Sequence, residues 1–81
     1  MDHKHIIDQH VKSVLHESFG PAAATMIFAT ASNRAGVPIM GITKDQFEAL
    51  VDAIVADQRV LDAWGSTGCA DRRREWRALA G

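Results

Sequence analysis

Six residues, Ile42-Thr43-Lys44-Asp45-Gln46-Phe47, constrain this chain more than any others. Thr43 followed three positions later by Gln46 is the pattern of a capping box. The hydroxyl takes the backbone amide at N3, and the Gln side chain reaches back to the cap amide. Ile42 before the cap and Phe47 at N4 form a hydrophobic staple across it. Asp45 places a negative charge in the first turn, where the helix dipole favours one. Three independent signals start a helix at one place. They specify local structure and carry no chemistry.

Eighty-one residues make one domain, residues 1–81. A chain this short buries only a little over ~60% of its unfolded surface, so its core is thin and association is a common remedy. Hydrophobic content of 47% argues against disorder. The net charge of −1 argues against a general nucleic-acid or membrane-surface binder. That charge is uneven. Residues 1–70 hold five Lys/Arg and eight Asp/Glu, whereas residues 71–81 hold four Arg against two acids. The single cysteine, Cys69, excludes an internal disulfide and fits a reducing compartment. The start, Met1-Asp2-His3-Lys4-His5, lacks the apolar stretch of a signal peptide. The longest nearly apolar run, residues 21–31, is too short for a bilayer span. The expectation is a cytoplasmic protein without a membrane segment.

The periodicity predicts an all-α fold, a compact bundle of four to five short helices. The first runs over about residues 3–19, with Ile7, Val11, Val14 and Leu15 on one stripe. Gly20-Pro21 ends it and opens the second, because proline at N1 loses no helical hydrogen bond. The second spans about residues 21–34, and its apolar residues surround the axis, which predicts burial in the core or in a subunit interface. Thr25, Ala29 and Ser32 form a small-residue strip along it, and Gly36 is the expected stop. The loop that follows carries Val37, Ile39 and Met40, which either fold over the core or form a sticky surface. The third helix begins after Thr43, with Phe47, Leu50, Val51, Ile54 and Val55 on one face. Its phase then slips. Asp57 is expected to cap a short fourth helix through Val60, Leu61 and Trp64. Gly65-Ser66-Thr67-Gly68 reads as a turn, and a fifth helix follows from about Cys69 to Leu79.

Residues able to carry chemistry are few. His3, His5, His10 and His16 invite a metal reading, yet no two are three or four apart, the spacing a helix needs to present two ligands to one ion. Only mixed pairs such as His5 with Asp8 have that offset. One histidine per chain would suffice for a haem, and nothing else supports one. Gly41 and Phe47 sit as at the end of a calcium-binding loop, but no acidic residue precedes Gly41 to act as a ligand. Cys69, expected in the first turn of the last helix with Arg72 and Arg73 one turn on, would be a reactive thiolate if exposed. The bland alternative is a small buried residue near Trp76. The run Arg72-Arg73-Arg74-Glu75-Trp76-Arg77 places Arg73, Arg74 and Arg77 on one side of a helix and Cys69, Trp76 and Leu79 on another. A solvated face of a packed helix is the first reading of that stripe, an acidic protein surface the second and nucleic acid the third. No catalytic constellation, phosphate loop or zinc spacing occurs, so catalytic residues, cofactors and metals are all expected to be absent.

Glu17-Ser18-Phe19-Gly20-Pro21-Ala22-Ala23, an apolar helix, a short loop, Leu50-Val51-Asp52-Ala53-Ile54 and Asp57-Gln58-Arg59 together resemble a small helical module of bacterial signalling proteins. That module, built around a Gly-Pro-x-Ala helix junction, is typically appended to serine/threonine kinases, cyclases and related regulators. The resemblance covers about residues 10–64. It implies an interaction or regulatory role and carries over no site residues.

The leading expectation is therefore a non-enzymatic interaction and regulatory module that binds a protein partner. It is expected to form a homodimer through residues 22–31, bounded by Ala22 and Ala31. Candidate docking residues are Arg73, Arg74, Arg77, Val37, Ile39 and Met40. A small DNA-binding regulator using the basic C-terminal helix is the runner-up, and a thiol- or metal-dependent activity at Cys69 or the N-terminal histidines comes third.

Overall fold

The computed structural model describes residues 3–37 and 42–80; Ile39 and Met40 lie outside them. Among the described residues, five α-helices follow in chain order: α1 (His3–Ile6), α2 (Lys12–Phe19), α3 (Pro21–Ala35), α4 (Lys44–Ala56) and α5 (Gln58–Leu79). A π-helical turn over Ile7–Val11 joins α1 to α2, and the backbone stays helical through both junctions. The three pieces make one N-terminal rod. No strand occurs among the described residues, and the domain is an all-α bundle.

The π turn was not foreseen, and it has a packing reason. Its i→i+5 repeat stacks Ile6 over Val11, and both are fully buried, with Ile7 and Leu15 beside them. The stripe expected from a 3.6 repeat omits Ile6 and includes Val14, which is only half-buried. One extra residue in the turn thus places two adjacent isoleucines against the core.

Each later junction follows its local chemistry. Gly20 takes φ 82°, ψ 164°, and Pro21 begins α3 as expected. Gly36 is left-handed, and its amide and that of Val37 donate to the carbonyls of Asn33 and Ser32. These two bonds form a Schellman cap. Both halves of the capping box at Thr43 are made: Gln46 N donates to Thr43 Oγ1 at 3.2 Å, and Thr43 N donates to Gln46 Oε1 at 2.8 Å. Phe47 is fully buried.

Asp57 ends α4 and caps α5. Its backbone is extended, and Oδ1 accepts from Arg59 N at 2.9 Å. The break lets both Ile54 and Val60 reach the core, which a continuous helix would not. The expected Gly65–Gly68 turn contracts to a single residue. Gly65 takes φ 73°, ψ 169°, nearly the conformation of Gly20, and Ser66, Thr67 and Gly68 are already helical. The last helical stretch therefore begins at Ser66, three residues earlier than expected. A glycine in this region turns the chain within one residue, so no longer loop is needed.

Helices α3 and α4 pack on each other, α2 packs on α3, and α5 packs on α4. Ile6, Val11, Leu15, Ile27, Phe47, Leu50, Val51, Ile54, Val60 and Trp76 are the largest fully buried side chains. Trp64 closes the end of the core where Gly65 turns the chain. Its ring lies 5.7 Å from Phe19 and 6.2 Å edge-on from Trp76, and Nε1 donates to Ser18 Oγ at 3.1 Å.

Candidate interaction surface

Of the two settings expected for α3, enclosure in the core is not the one seen. Ala24, Ile27 and Ala31 are buried, but the helix is not enclosed. Pro21, Ala22, Thr25, Met26, Ala29, Thr30, Asn33 and Arg34 are exposed. The reason is geometric. In a bundle this small, α2 and α4 flank α3, and among the described residues its outer side stays exposed. An apolar circumference does not ensure burial when too little chain remains to cover it.

That outer side is almost uncharged. Arg34, in the last turn, is the single charged residue of α3. The Thr25 hydroxyl donates to Pro21 O at 2.8 Å, so its hydrogen is used within the helix. Met26 is 61% exposed and is the one large hydrophobic side chain so exposed among the described residues.

Two hollows adjoin this side. One, of about 240 Å3, lies between α2 and α3 and is lined by Leu15, His16, Ala24, Thr25, Phe28 and Ala29, with Lys12. The other, of about 430 Å3, shares Lys12, Phe28 and Ala29 and continues along the π turn past Ile7, Asp8, Ser32 and Val37 to Ile42. Lys12 stands between them. Its Nζ lies 4.8 Å over the Phe28 ring and 3.4 Å from Asp8 Oδ1. Together they form a groove with an apolar floor and a mixed polar rim. Val37, expected as either cover or sticky surface, is half-buried against the core and lines this groove.

The arginine stripe is engaged within the fold. Arg73 Nε donates to Asp52 Oδ1 at 2.6 Å, and Arg77 pairs with Glu48 Oε2 at 3.4 Å. Two arginines one turn apart on α5 thus face two carboxylates one turn apart on α4. Arg72 pairs with Glu75 at 3.3 Å and lies over the Trp64 ring at 5.8 Å. Arg74 is the most exposed of the four and pairs with Asp71 at 3.6 Å. A shallow hollow bounded by Ala70, Arg73, Arg74 and Arg77 lies between these groups. Each arginine carries a carboxylate, so the stripe projects less positive field than the sequence alone suggests.

Cys69 is 4% exposed, and its Sγ lies 3.9 Å from Val60 O. Burial pushes its thiol pKa up. The conditional reading of an exposed, activated thiolate therefore gives way to the small core residue. Position in the first turn is outweighed, because the thiol turns inward to the side that Trp76 also occupies. His3 is half-buried with its ring 5.6 Å from Phe47, while His5 and His16 are exposed. Among the described residues, no three His, Cys, Asp or Glu side chains converge as a metal site would need. No described helix is long and apolar enough to cross a membrane.

Residues 22–31, expected at a contact surface, include Met26 and Phe28, whereas Lys12 and Leu15, which join Phe28 in lining the groove, were not expected there. The small-residue strip Thr25, Ala29, Ser32 was the available signal, since all three line the groove. Compared with protein families, with curated proteins and with solved structures, the chain matches none.

Proposed function

We propose that this domain is a non-enzymatic protein–protein interaction module that associates through α3. The observation behind the proposal is the outer side of that helix. It is uncharged from Ala22 to Asn33, carries Met26 at 61% exposure, and borders a groove with an apolar floor. Surfaces of small monomeric domains normally mix both charge signs, and an apolar stretch bordered by polar residues marks a contact site. The partner class favoured is a second copy of the same chain, because a thin core gains most from association. The resemblance of residues 10–64 to a signalling module supplies the regulatory part of the reading.

Sedimentation from low to high micromolar concentration tests it. The expected result is a monomer–dimer equilibrium that Met26→Glu shifts to monomer without loss of helicity. A wild-type protein that stays monomeric throughout would reject self-association. A dimer that Met26→Glu leaves unchanged would reject α3 as the surface.

A further inference from the structure

We infer that the hollow between α2 and α3 binds a small apolar carboxylate, with the aromatic or short alkyl body of the ligand on its floor and the charged end at Lys12 and His16. The hollow holds about 240 Å3. A dry cavity of ~150 Å3 takes a benzene ring. This one therefore has room for a ring and a carboxylate. Leu15 of α2 and Ala24, Phe28 and Ala29 of α3 make the floor. Leu15 and Ala24 belong to the buried core, and Phe28 packs against it. The floor is thus held in shape before any ligand arrives, as ligand sites usually are.

The rim decides the charge of the occupant. Lys12 and His16 line the hollow from one edge, four residues apart on α2. Side chains at that spacing are neighbours on a helix face. No acidic side chain lines the hollow among the described residues. The Lys12 ammonium stands over the Phe28 ring, 4.8 Å from its centroid, and so at the border of the floor. Its pair with Asp8 is half-exposed and 3.4 Å long, and leaves other ammonium hydrogens for a ligand. Asp8 itself lies on the wall of the longer hollow, outside this one. The exposed imidazole of His16 adds a ring N–H. Thr25 adds no donor, because its hydroxyl hydrogen goes to Pro21 O.

An apolar floor with two nitrogen donors on one edge is the complement of a carboxylate on an apolar body. The two carboxylate oxygens give each donor an acceptor, and hydrogen bonds to an ionised group are the strong ones. A cationic ligand would meet the Lys12 ammonium. A neutral apolar ligand would cover that ammonium and offer it no acceptor, which costs free energy. Met26, the exposed side chain behind the self-association reading, does not line this hollow. The site therefore stands independently of that reading.

The test titrates the full chain with phenylacetate, at a protein concentration where sedimentation shows monomer, and follows backbone amides by NMR. Saturable shifts should cluster at Leu15, His16, Ala24, Phe28 and Ala29. Phenylacetamide has the same shape without the charge, and should bind about tenfold more weakly, as loss of a charge-assisted contact predicts. Lys12→Met keeps an apolar stem over Phe28, removes the ammonium, and should weaken phenylacetate by a similar factor. His16→Ala should weaken it further. Ala29→Phe fills the hollow from an exposed position and should abolish binding, with helicity retained in all three variants. Equal binding of the acid and the amide would overturn the assignment of the ligand as a carboxylate. Shifts that cluster instead at Arg73, Arg74 and Arg77, or no saturable shift at the floor, would overturn the site. Shifts at the floor that grow with protein concentration alone and exclude phenylacetate would give the hollow to a second copy, and would overturn it as well.

Discussion

Arg73 on α5 donates from Nε to Oδ1 of Asp52 on α4 at 2.6 Å. One turn on toward the C-terminus of α5 and the N-terminus of α4, Arg77 pairs with Glu48 at 3.4 Å. These pairs are half-exposed, so each contributes only ~0.2–1 kcal/mol and is weakened by salt. Replacing Arg73 and Arg77 with Gln should lower stability to urea by that small amount, and the difference from wild type should shrink at high salt. A loss several times larger would mean that the pairs do more than join two solvated faces.

The cap of α4 should be more costly to break than those pairs. Thr43→Ala removes one half of the capping box directly and should destabilise the domain by ~0.5–2 kcal/mol. Phe47→Ala empties a fully buried site that also contacts the His3 ring, and should cost ~3–5 kcal/mol. Chemical denaturation of both variants checks the order. A nearly neutral Phe47→Ala would contradict the packing of α4.

Asp57 gives the stability a dependence on acid pH. The Arg59 side chain, held at 2.8 Å and 3.0 Å, lowers the Asp57 pKa below the ordinary carboxylate value; partial burial opposes this, and amide donation adds to it. A depressed folded-state pKa stabilises the fold above the unfolded value, about 4. That contribution is lost as pH falls through the folded value. Asp57→Asn should therefore be less stable than wild type near pH 7, and the gap should close under acid. A gap that stays constant down to low pH would show that the charge of Asp57 contributes nothing.

Gly65 should resist substitution for backbone reasons alone. A Cβ built there meets nothing within 4 Å, yet its φ of 73° with ψ of 169° belongs to a region almost closed to other residues. Gly65→Ala should cost ~1–3 kcal/mol with no change in the packed core. Thermal unfolding of the variant measures it. A neutral result would mean that the chain turns at Ser66 or Thr67 instead.

Cys69 should react slowly with thiol reagents in the native protein. Burial both blocks access and raises its pKa, so the thiolate is scarce near neutral pH. Labelling should accelerate sharply on denaturation. Rapid labelling of the folded protein would return Cys69 to the group of functional candidates.

Local signals determined much of this fold by themselves. The Thr43–Gln46 box, Gly20-Pro21, Gly36 and the Asp57 cap are contained in a few neighbouring residues, because each acts through hydrogen bonds or backbone torsions within one turn. The all-α class followed from them and from the 3.6 repeat. Three other features were decided by tertiary structure. The π turn at Ile7–Val11 exists because the core accepts Ile6 and Ile7 together. Arg73 and Arg77 are engaged because α4 happens to bring Asp52 and Glu48 alongside them. Helix α3 is open on one side because, among the described residues, α2 and α4 pack on its other sides only. Its apolar sequence is the same whether enclosed or exposed, since hydrophobicity has no direction. The arrangement of neighbouring helices alone decides which of its faces meets water.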